Sequence, residues 1–373
     1  MVPGPTPVTS KVRSALAQPT ISHTSAAIAE IVQECQRGLQ QVAGTSMATA
    51  FVFAGSGTLA QEAAIVNLVR PGERLLVISN GFFGDRFAEI AAAHGINADT
   101  LKARWGTSVS AEEVGNTLRE GDFSAITVTH VETSTGAAAP VAEIAAEARK
   151  HEVPVIVDAV CSLGGMPVST EDWEVDIVLS GAQKALGVPP GLALLLVSEA
   201  AMERRRRLGK IAAYYADLLN WESSMRDARI YFSTHAVNLM YALRAALQII
   251  LREGLEARFH RHRRSADAFR SGMRTYGFSS LTEEACLAPT LSVLAYPTGV
   301  DDQSFRDRLA QRGVVGAGCL GEFRGRGLRF GHMGNLTEAD LLRALLAVGR
   351  ALRDGGAEAR PQEALEAAAA LLG

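Results

Sequence analysis

The sequence predicts an α/β protein, with a large domain built on a mainly parallel sheet between helices and a smaller C-terminal α+β domain. Three observations predict it. From residue 51 to 197, short runs rich in Val, Ile and Leu alternate with segments of helical period. Most of these runs are nearly continuous in apolar residues, as strands buried on both faces must be. After Val197 the alternation stops, and a long helical pattern leads into a shorter mixed segment.

Taken in order, the expected strands of the large domain are 51–53, 74–79, 125–129, 153–157, 176–179 and 192–197. The expected helices between them are 59–69, 85–94, 111–119 and 141–151. A charged segment at 203–210 and a loop precede one long helix over 235–274. The smaller domain is expected to hold a strand at 291–296, a helix at 302–312, and strands at 313–318 and 328–330. A further helix opens at Thr337, where a T-x-x-D capping pattern leads into Leu341, Leu342, Leu345 and Leu346. The Ala/Glu-rich tail from Ala357 reads as a loosely attached helix. The division is 1–20 for an N-terminal segment, 21–260 for the large domain and 261–373 for the small one. The boundary falls inside the long helix, and no internal repeat is visible.

Composition narrows the function classes. Hydrophobic residues make up 47% and charged residues 21% of 373, ample for a full core without disulfide or metal staples. A net charge of −3 gives no reason to expect nucleic acid as a partner. The four cysteines, Cys35, Cys161, Cys286 and Cys319, are scattered with no CxxC pair, so no zinc site or disulfide framework is expected. No apolar run reaches the ~20 residues of a membrane span, and the start lacks a signal-peptide pattern. A cytoplasmic location is the expectation.

Three places carry chemistry. Gly55-Ser56-Gly57-Thr58 lies between a strand and a helix, where unpaired N–H groups, two glycines and two hydroxyls suit an anion. An ordinary strand–helix turn would look the same. The stretch also mimics a dinucleotide fingerprint, but no acidic residue ends the next strand, which runs into Asn80-Gly81-Phe82-Phe83. Asp158 ends the apolar run Val153-Pro154-Val155-Ile156-Val157, at the sheet edge where α/β proteins bind ligands. A buried carboxylate there needs a cationic or donor partner, and a protonated pyridine nitrogen is one; a capping or metal-binding Asp would be the plainer explanation. Lys184 sits among small and apolar residues, in Ser180-Gly181-Ala182-Gln183-Lys184-Ala185-Leu186. Lysines normally occupy solvated faces, and desolvation makes an amine nucleophilic toward an aldehyde. With an anion cradle and a strand-end carboxylate upstream, a Schiff base on Lys184 is the better reading.

An ordered series of motifs carries a family resemblance. It comprises Pro3-Gly4-Pro5-Thr6, Ser56-Gly57-Thr58, Asn80 to Gly84, and Thr129-His130-Val131-Glu132-Thr133-Ser134-Thr135-Gly136. It continues with Asp158-Ala159-Val160-Cys161-Ser162-Leu163-Gly164-Gly165, Ser180 to Lys184, Tyr231-Phe232-Ser233-Thr234 and Leu328-Arg329-Phe330-Gly331-His332-Met333-Gly334. The chain resembles class V aminotransferases of the fold-type I pyridoxal-phosphate (PLP) enzymes, closest to the alanine–glyoxylate/serine–pyruvate group. The resemblance implies a seven-stranded sheet in a PLP-binding large domain, with residues 1–20 at the site entrance.

It also implies roles. Lys184 would bind the cofactor and shuttle the proton, and Asp158 would pair with the ring nitrogen. Ser56, Gly57, Thr58 and Gln183 would hold the phosphate. Thr133 would bond the ring hydroxyl, Phe83 would stack on the ring and Ser162 would lie near its other side. Tyr231 and Thr234 would reach the neighbouring subunit's phosphate, which implies a homodimer with shared sites. Arg329 would grip the substrate carboxylate, as a planar guanidinium can, with Gly4 beside the substrate. Two positions depart from the family pattern: Phe83 replaces a Trp or Tyr, and the middle of Tyr231-Phe232-Ser233-Thr234 lacks the expected His.

Transamination from a small L-amino acid of the alanine or serine type to glyoxylate or pyruvate is the leading expectation. A single Arg329 favours short monocarboxylates, although ureidoglycine, aminoethylphosphonate or pyridoxamine suit the same framework. A lyase such as a cysteine desulfurase is the rival, with Cys319 in Gly316-Ala317-Gly318-Cys319 as the candidate thiol. Against it, desulfurases place a His where Gln183 stands. A non-enzymatic PLP-fold binding protein is disfavoured by the presence of Lys184, Asp158 and the phosphate loop together. A dinucleotide-dependent oxidoreductase would need NAD in place of PLP. Of the eight histidines only His332, three residues after Arg329, is placed to approach the pocket. The runs Arg204 to Arg207 and Arg261 to Arg264 read as solvated helix faces.

Overall fold

The computed structural model describes residues 1–372. Helices α1 (Ser10–Leu16) and α2 (Ala26–Val42) precede the first strand, each N-capped by a hydroxyl, that of Thr9 or Ser25. There follow β1 (Thr49–Gly55), α3 (Gly57–Val66), β2 (Arg74–Ser79), α4 (Phe82–Ala93), β3 (Asn97–Lys102), α5 (Ala111–Glu120), β4 (Ala125–Thr129) and α6 (Val141–Lys150). The sheet is completed by β5 (Val155–Asp158), β6 (Ile177–Gly181) and β7 (Gly191–Val197), giving the order β1-β7-β6-β5-β4-β2-β3. The run from β6 to β3 is parallel, and β7 is antiparallel to both its neighbours.

In this sheet the strand expectations hold to within a few residues, with one omission. β3, Asn97-Ala98-Asp99-Thr100-Leu101-Lys102, is an edge strand with no fully buried residue, so it carries no apolar run to read. The central strands β4, β5 and β6 are buried at every position, which is why they read clearly. One face of the sheet packs on α2, α5, α6 and the later helix α9 (Val237–Glu253) through residues such as Ile28, Leu39, Ile144 and Leu243. The other packs on α3, α4 and α8 (Leu218–Arg226) through Ile65, Phe87 and Trp221.

Beyond the sheet, α7 (Glu199–Leu208) precedes α8 and α9, and α10 (Leu255–Thr275) follows them. The single long helix expected over 235–274 is two helices, α9 and α10. Gly254, at φ +84°, terminates the first, a conformation that glycine adopts without penalty. The second sheet contains β8 (Ser279–Ser280), β9 (Leu291–Ala295), β10 (Ala317–Gly318) and β11 (Gly327–Gly331), in the order β10-β11-β9-β8, with α11 (Asp302–Gln311) between β9 and β10. The strand expected at 313–318 is thus only β10. Two helices close the chain, α12 (Glu338–Asp354) and α13 (Pro361–Leu372). Thr337 and Asp340 form the expected capping box on α12.

The tail is not loosely attached. Ala364, Ala368 and Leu372 of α13 are buried in the core of the second sheet, beside Phe269 of α10 and Leu345 of α12. At Gly272 a Cβ would stand 2.9 Å from the Ala364 carbonyl oxygen, so small residues let the two helices approach closely.

Candidate active site

The sheet brings three loops to one place. Asp158 ends β5, in register with Thr129 of β4 and Leu179 of β6. Lys184 lies in the turn after β6, and α3 starts directly after β1. These segments line a single cavity of about 290 Å³. Of the residues expected from sequence, Gly4, Ser56, Gly57, Thr58, Phe83, Thr133, Asp158, Gln183 and Lys184 lie in its wall. The N-terminal segment is pinned there by Thr6, whose N–H donates to the Gln183 carbonyl at 3.0 Å and whose hydroxyl donates to the Lys184 carbonyl at 2.6 Å. Lys184 Nζ donates to the Pro3 carbonyl at 2.5 Å. A Cβ on Gly4 would overlap Lys184 Cδ, so the strand of chain crossing the lysine must be glycine at that point.

Other expected residues stand outside that wall. Ser162 is fully buried, its hydroxyl has no partner, and Val160, two residues earlier, lines the cavity instead. Tyr231 is 63% exposed and Thr234 is also exposed, and neither lines the chain's own cavity. Arg329, in β11, lies one residue behind the wall. Its Nε donates to the Gly318 carbonyl at 2.9 Å and its Nη1 reaches the Thr133 carbonyl at 3.4 Å. Among the described residues no carboxylate pairs with it. Burial pulls its pKa down, opposed by the nearby Cys319, Cys161 and Glu132. His332 does not approach the pocket. It is buried against Phe269, bonded to the Ser292 hydroxyl at 2.8 Å, and burial holds it neutral far below the usual histidine range.

Four neighbours were given no role by the sequence reading. Gln61 Nε2 donates to Asp158 Oδ2 at 2.8 Å, while the Val160 N–H donates to Oδ1 at 2.9 Å. The signal for Gln61 was available, since it is the polar residue on an α3 face otherwise made of Ala60, Ala63, Ala64 and Ile65. Val160 offers no signal of its own. Arg86 of α4 lies over the Phe83 ring at 4.8 Å and donates to the Thr58 hydroxyl at 3.2 Å. Glu132 is fully buried: one oxygen accepts from the N–H groups of Phe83 and Gly84, the other from the N–H and hydroxyl of Ser134. It therefore ties the Phe83 loop to the Thr133 loop. Desolvation raises the carboxyl pKa of both Glu132 and Asp158, opposed by the bonds just named and, at Asp158, by the positive charges of Lys184 and Arg86.

Pyridoxal phosphate fits this donor set. Ser56 is the N-cap of α3, yet its hydroxyl caps no backbone N–H, so it and the first N–H groups of the helix are free for an anion. Gln183 Oε1 is buried without a donor, and Asp158, buried with two neutral donors, has room for a cationic N–H. A Cβ on Gly57 would press on Val160 at 3.1 Å, so the cradle is built around a glycine.

Comparison with known proteins agrees. Residues 9–319 match the family model for aminotransferase class-V. The chain is 37% identical over 362 residues to an uncharacterised aminotransferase of Methanocaldococcus jannaschii, covering 96% of this chain and 94% of that one. The crystal structure of ureidoglycine–glyoxylate aminotransferase from Bacillus subtilis superposes with a TM-score of 0.97 at 30% identity, over 100% of this chain and 97% of that one. That of alanine–glyoxylate aminotransferase from Nostoc sp. gives 0.92 at 32% identity, over 95% and 94%. Likeness of this extent over nearly the whole length, around a cavity with the matching chemistry, makes the chain a member of the class V aminotransferase family and a pyridoxal-phosphate-dependent transaminase.

Proposed function

We propose that this transaminase moves the amino group of a small L-amino acid, of the alanine or serine type, to glyoxylate or pyruvate. The observation that carries the reading is the convergence of Lys184, Asp158 and the α3 start on one cavity, with the unpaired Arg329 behind Thr133. Glyoxylate appears in the names of both solved relatives, which supports it as acceptor.

The bound cofactor supplies an aldehyde that condenses with amines and a protonated ring that withdraws electrons from the substrate carbon. The protein supplies the rest. Lys184 Nζ would carry the cofactor and then act as the base that takes and returns the proton at the substrate Cα. Asp158 would keep the ring nitrogen protonated. Ser56, Gly57, Thr58 and Gln183 hold the phosphate, and Arg86, tied to Thr58, adds positive charge at that end. Phe83 and Val160, which line the cavity, would confine the ring, and Thr133 would donate to its hydroxyl. Ser162, behind the wall, has no direct part in this reading. Arg329 grips the substrate carboxylate beside Gly4. Because Arg86 is engaged at the phosphate end, one guanidinium remains for the substrate, which favours a monocarboxylate over aspartate or glutamate.

Tyr231 and Thr234, exposed and away from their own cavity, complete the phosphate site of a second copy in a homodimer. Residues 1–20 form the entrance, 21–260 the cofactor domain and 261–373 the small domain. Half-reactions test the chemistry. Alanine or serine should convert the PLP-loaded protein to the pyridoxamine form, and glyoxylate should restore it. A screen in which no such amine changes the cofactor spectrum overturns the reading.

A further inference from the structure

The buried amide of Gln61 has no place in the mechanism described so far. It lies on α3 one turn beyond Gly57, is 2% exposed, and is surrounded on its own helix by the fully buried Ala60, Ala63, Ala64 and Ile65. An apolar side chain of similar length would pack on that face and leave no buried amide oxygen to satisfy. Instead Nε2 donates to Asp158 Oδ2 at 2.8 Å, with a longer approach of 3.5 Å to the Phe83 carbonyl, and Oε1 is buried with no donor at all. A buried acceptor left unpaired is unfavourable. What offsets it is a hydrogen bond to a carboxylate, which is stronger than one between neutral groups.

We propose that Gln61 is a positioning residue that orients Asp158 and holds its carboxylate ionised for the cofactor's ring nitrogen. This rests on the reading of the cavity as the PLP site. An ionised carboxylate can only accept, so it forces the amide nitrogen toward itself and leaves the oxygen without a partner. With Oδ1 held by the Val160 N–H and Oδ2 by Gln61, the plane of the carboxylate is fixed from two elements, α3 and the loop after β5. Each oxygen keeps a lone pair for a ring N–H. The same helix whose start takes the phosphate therefore also aims the group at the far end of the ring, so α3 sets both ends of the cofactor.

The other charged and titratable groups around Asp158 are Lys184 from the turn after β6, Arg86 from α4, Glu132 from the loop after β4, and Cys161 from the loop after β5. The two cations favour its ionised form, and burial and the Glu132 carboxylate oppose it. Removing the Gln61 donor tips this balance toward the protonated acid. The binding of PLP should then fail at higher pH than in the parent, because the carboxylate is lost sooner as pH falls.

The test is titration of PLP into cofactor-free parent, Gln61→Leu and Gln61→Glu proteins from about pH 5.5 to 9, read from the visible absorption band, with thermal melting of the unloaded proteins alongside. Gln61→Leu should melt close to the parent, bind PLP about tenfold more weakly, and show the acid limb of binding about one pH unit higher. Gln61→Glu, which sets a second carboxylate against Asp158, should bind more weakly still at about pH 8. Equal affinity and an equal acid limb in Gln61→Leu would overturn the proposal. So would equal losses in both variants, which would reduce Gln61 to packing. A parent protein that does not take up PLP overturns the reading of the cavity instead.

Discussion

Burial raises the Cys319 thiol to about 12, so at neutral pH it is protonated, whereas the thiolate is the form that attacks sulfur or carbon. Its side chain is 5% exposed and packs with Leu291, Val293 and Phe323. It behaves as a small apolar residue, and the lyase reading loses its nucleophile. Cys319→Ala should retain transamination and lower stability by about 1 kcal/mol, read by turnover and by urea melts. Loss of activity without loss of stability would give the thiol a chemical role. The same residue scale shows where the sequence was legible. Lys184 and Asp158 are chemical anomalies in apolar surroundings, and an anomaly can be seen without coordinates. Ser162, by contrast, is separated from Val160 by two positions in a turn, and only the backbone path decides which of them meets the cavity.

Single elements transmit positions to the site. Glu132 fixes the start of α4 by accepting from Phe83 and Gly84 while holding Ser134. Glu132→Gln turns acceptors toward donors at a fully buried point and should cost about 2–4 kcal/mol, with weaker PLP binding as Phe83 shifts. Urea unfolding and PLP titration measure the two effects, and a stability loss under about 1 kcal/mol would contradict this role for the loop. Helix α10 is a second such element. His262 links the Gly165 carbonyl to the Gly334 N–H, and burial lowers its pKa to about 4. Its folded pKa lies below the unfolded value of about 6.5, so the unfolded chain binds the extra proton between those values. Stability from this residue is therefore complete above about pH 6.5 and declines as pH falls toward 4, by about 3 kcal/mol at most. His262→Gln should flatten the decline between about pH 7 and 5 in urea melts, although His130, also lowered to about 4 by burial, keeps part of it. A slope identical to the parent's would remove His262 from the pH response. Among elements, the buried strands were legible because burial on two faces leaves an unbroken apolar run. β3 and the break at Gly254 were not. An edge strand is polar enough to pass for loop, and one glycine in a helical pattern does not announce that it ends a helix.

At the scale of the whole molecule, the chain leaves Tyr214, Ile230 and Tyr231 exposed together with Phe82, the neighbour of the cavity-lining Phe83. In the proposed homodimer a second copy would cover such groups, and Tyr231 would serve the partner's phosphate site. Mixed dimers give the clearest check on that arrangement. Lys184→Ala and Tyr231→Ala proteins, each nearly inactive alone, should recover about a quarter of parent activity after co-refolding. Half of the dimers are mixed, and one of their two sites is intact by two-fold symmetry. No recovery would place Tyr231 in its own chain's site, and a fully active Tyr231→Ala protein would place it in none. The end of the first sheet was visible in the change of pattern after Val197, but the site itself was legible only as separate motifs. Their meeting depends on the strand order β5-β6 and on the N-terminal segment crossing Lys184, which no local pattern encodes.

The proposed mechanism depends on the Lys184 amine facing a cofactor held between Asp158 and the α3 start. Borohydride reduction of the PLP-loaded protein, followed by peptide mapping, tests this most directly. The predicted result is one pyridoxyl group per chain, on the peptide containing Lys184, and no label in Lys184→Ala. Label on another lysine, or an unlabelled Lys184 in a protein that nonetheless transaminates, would contradict it.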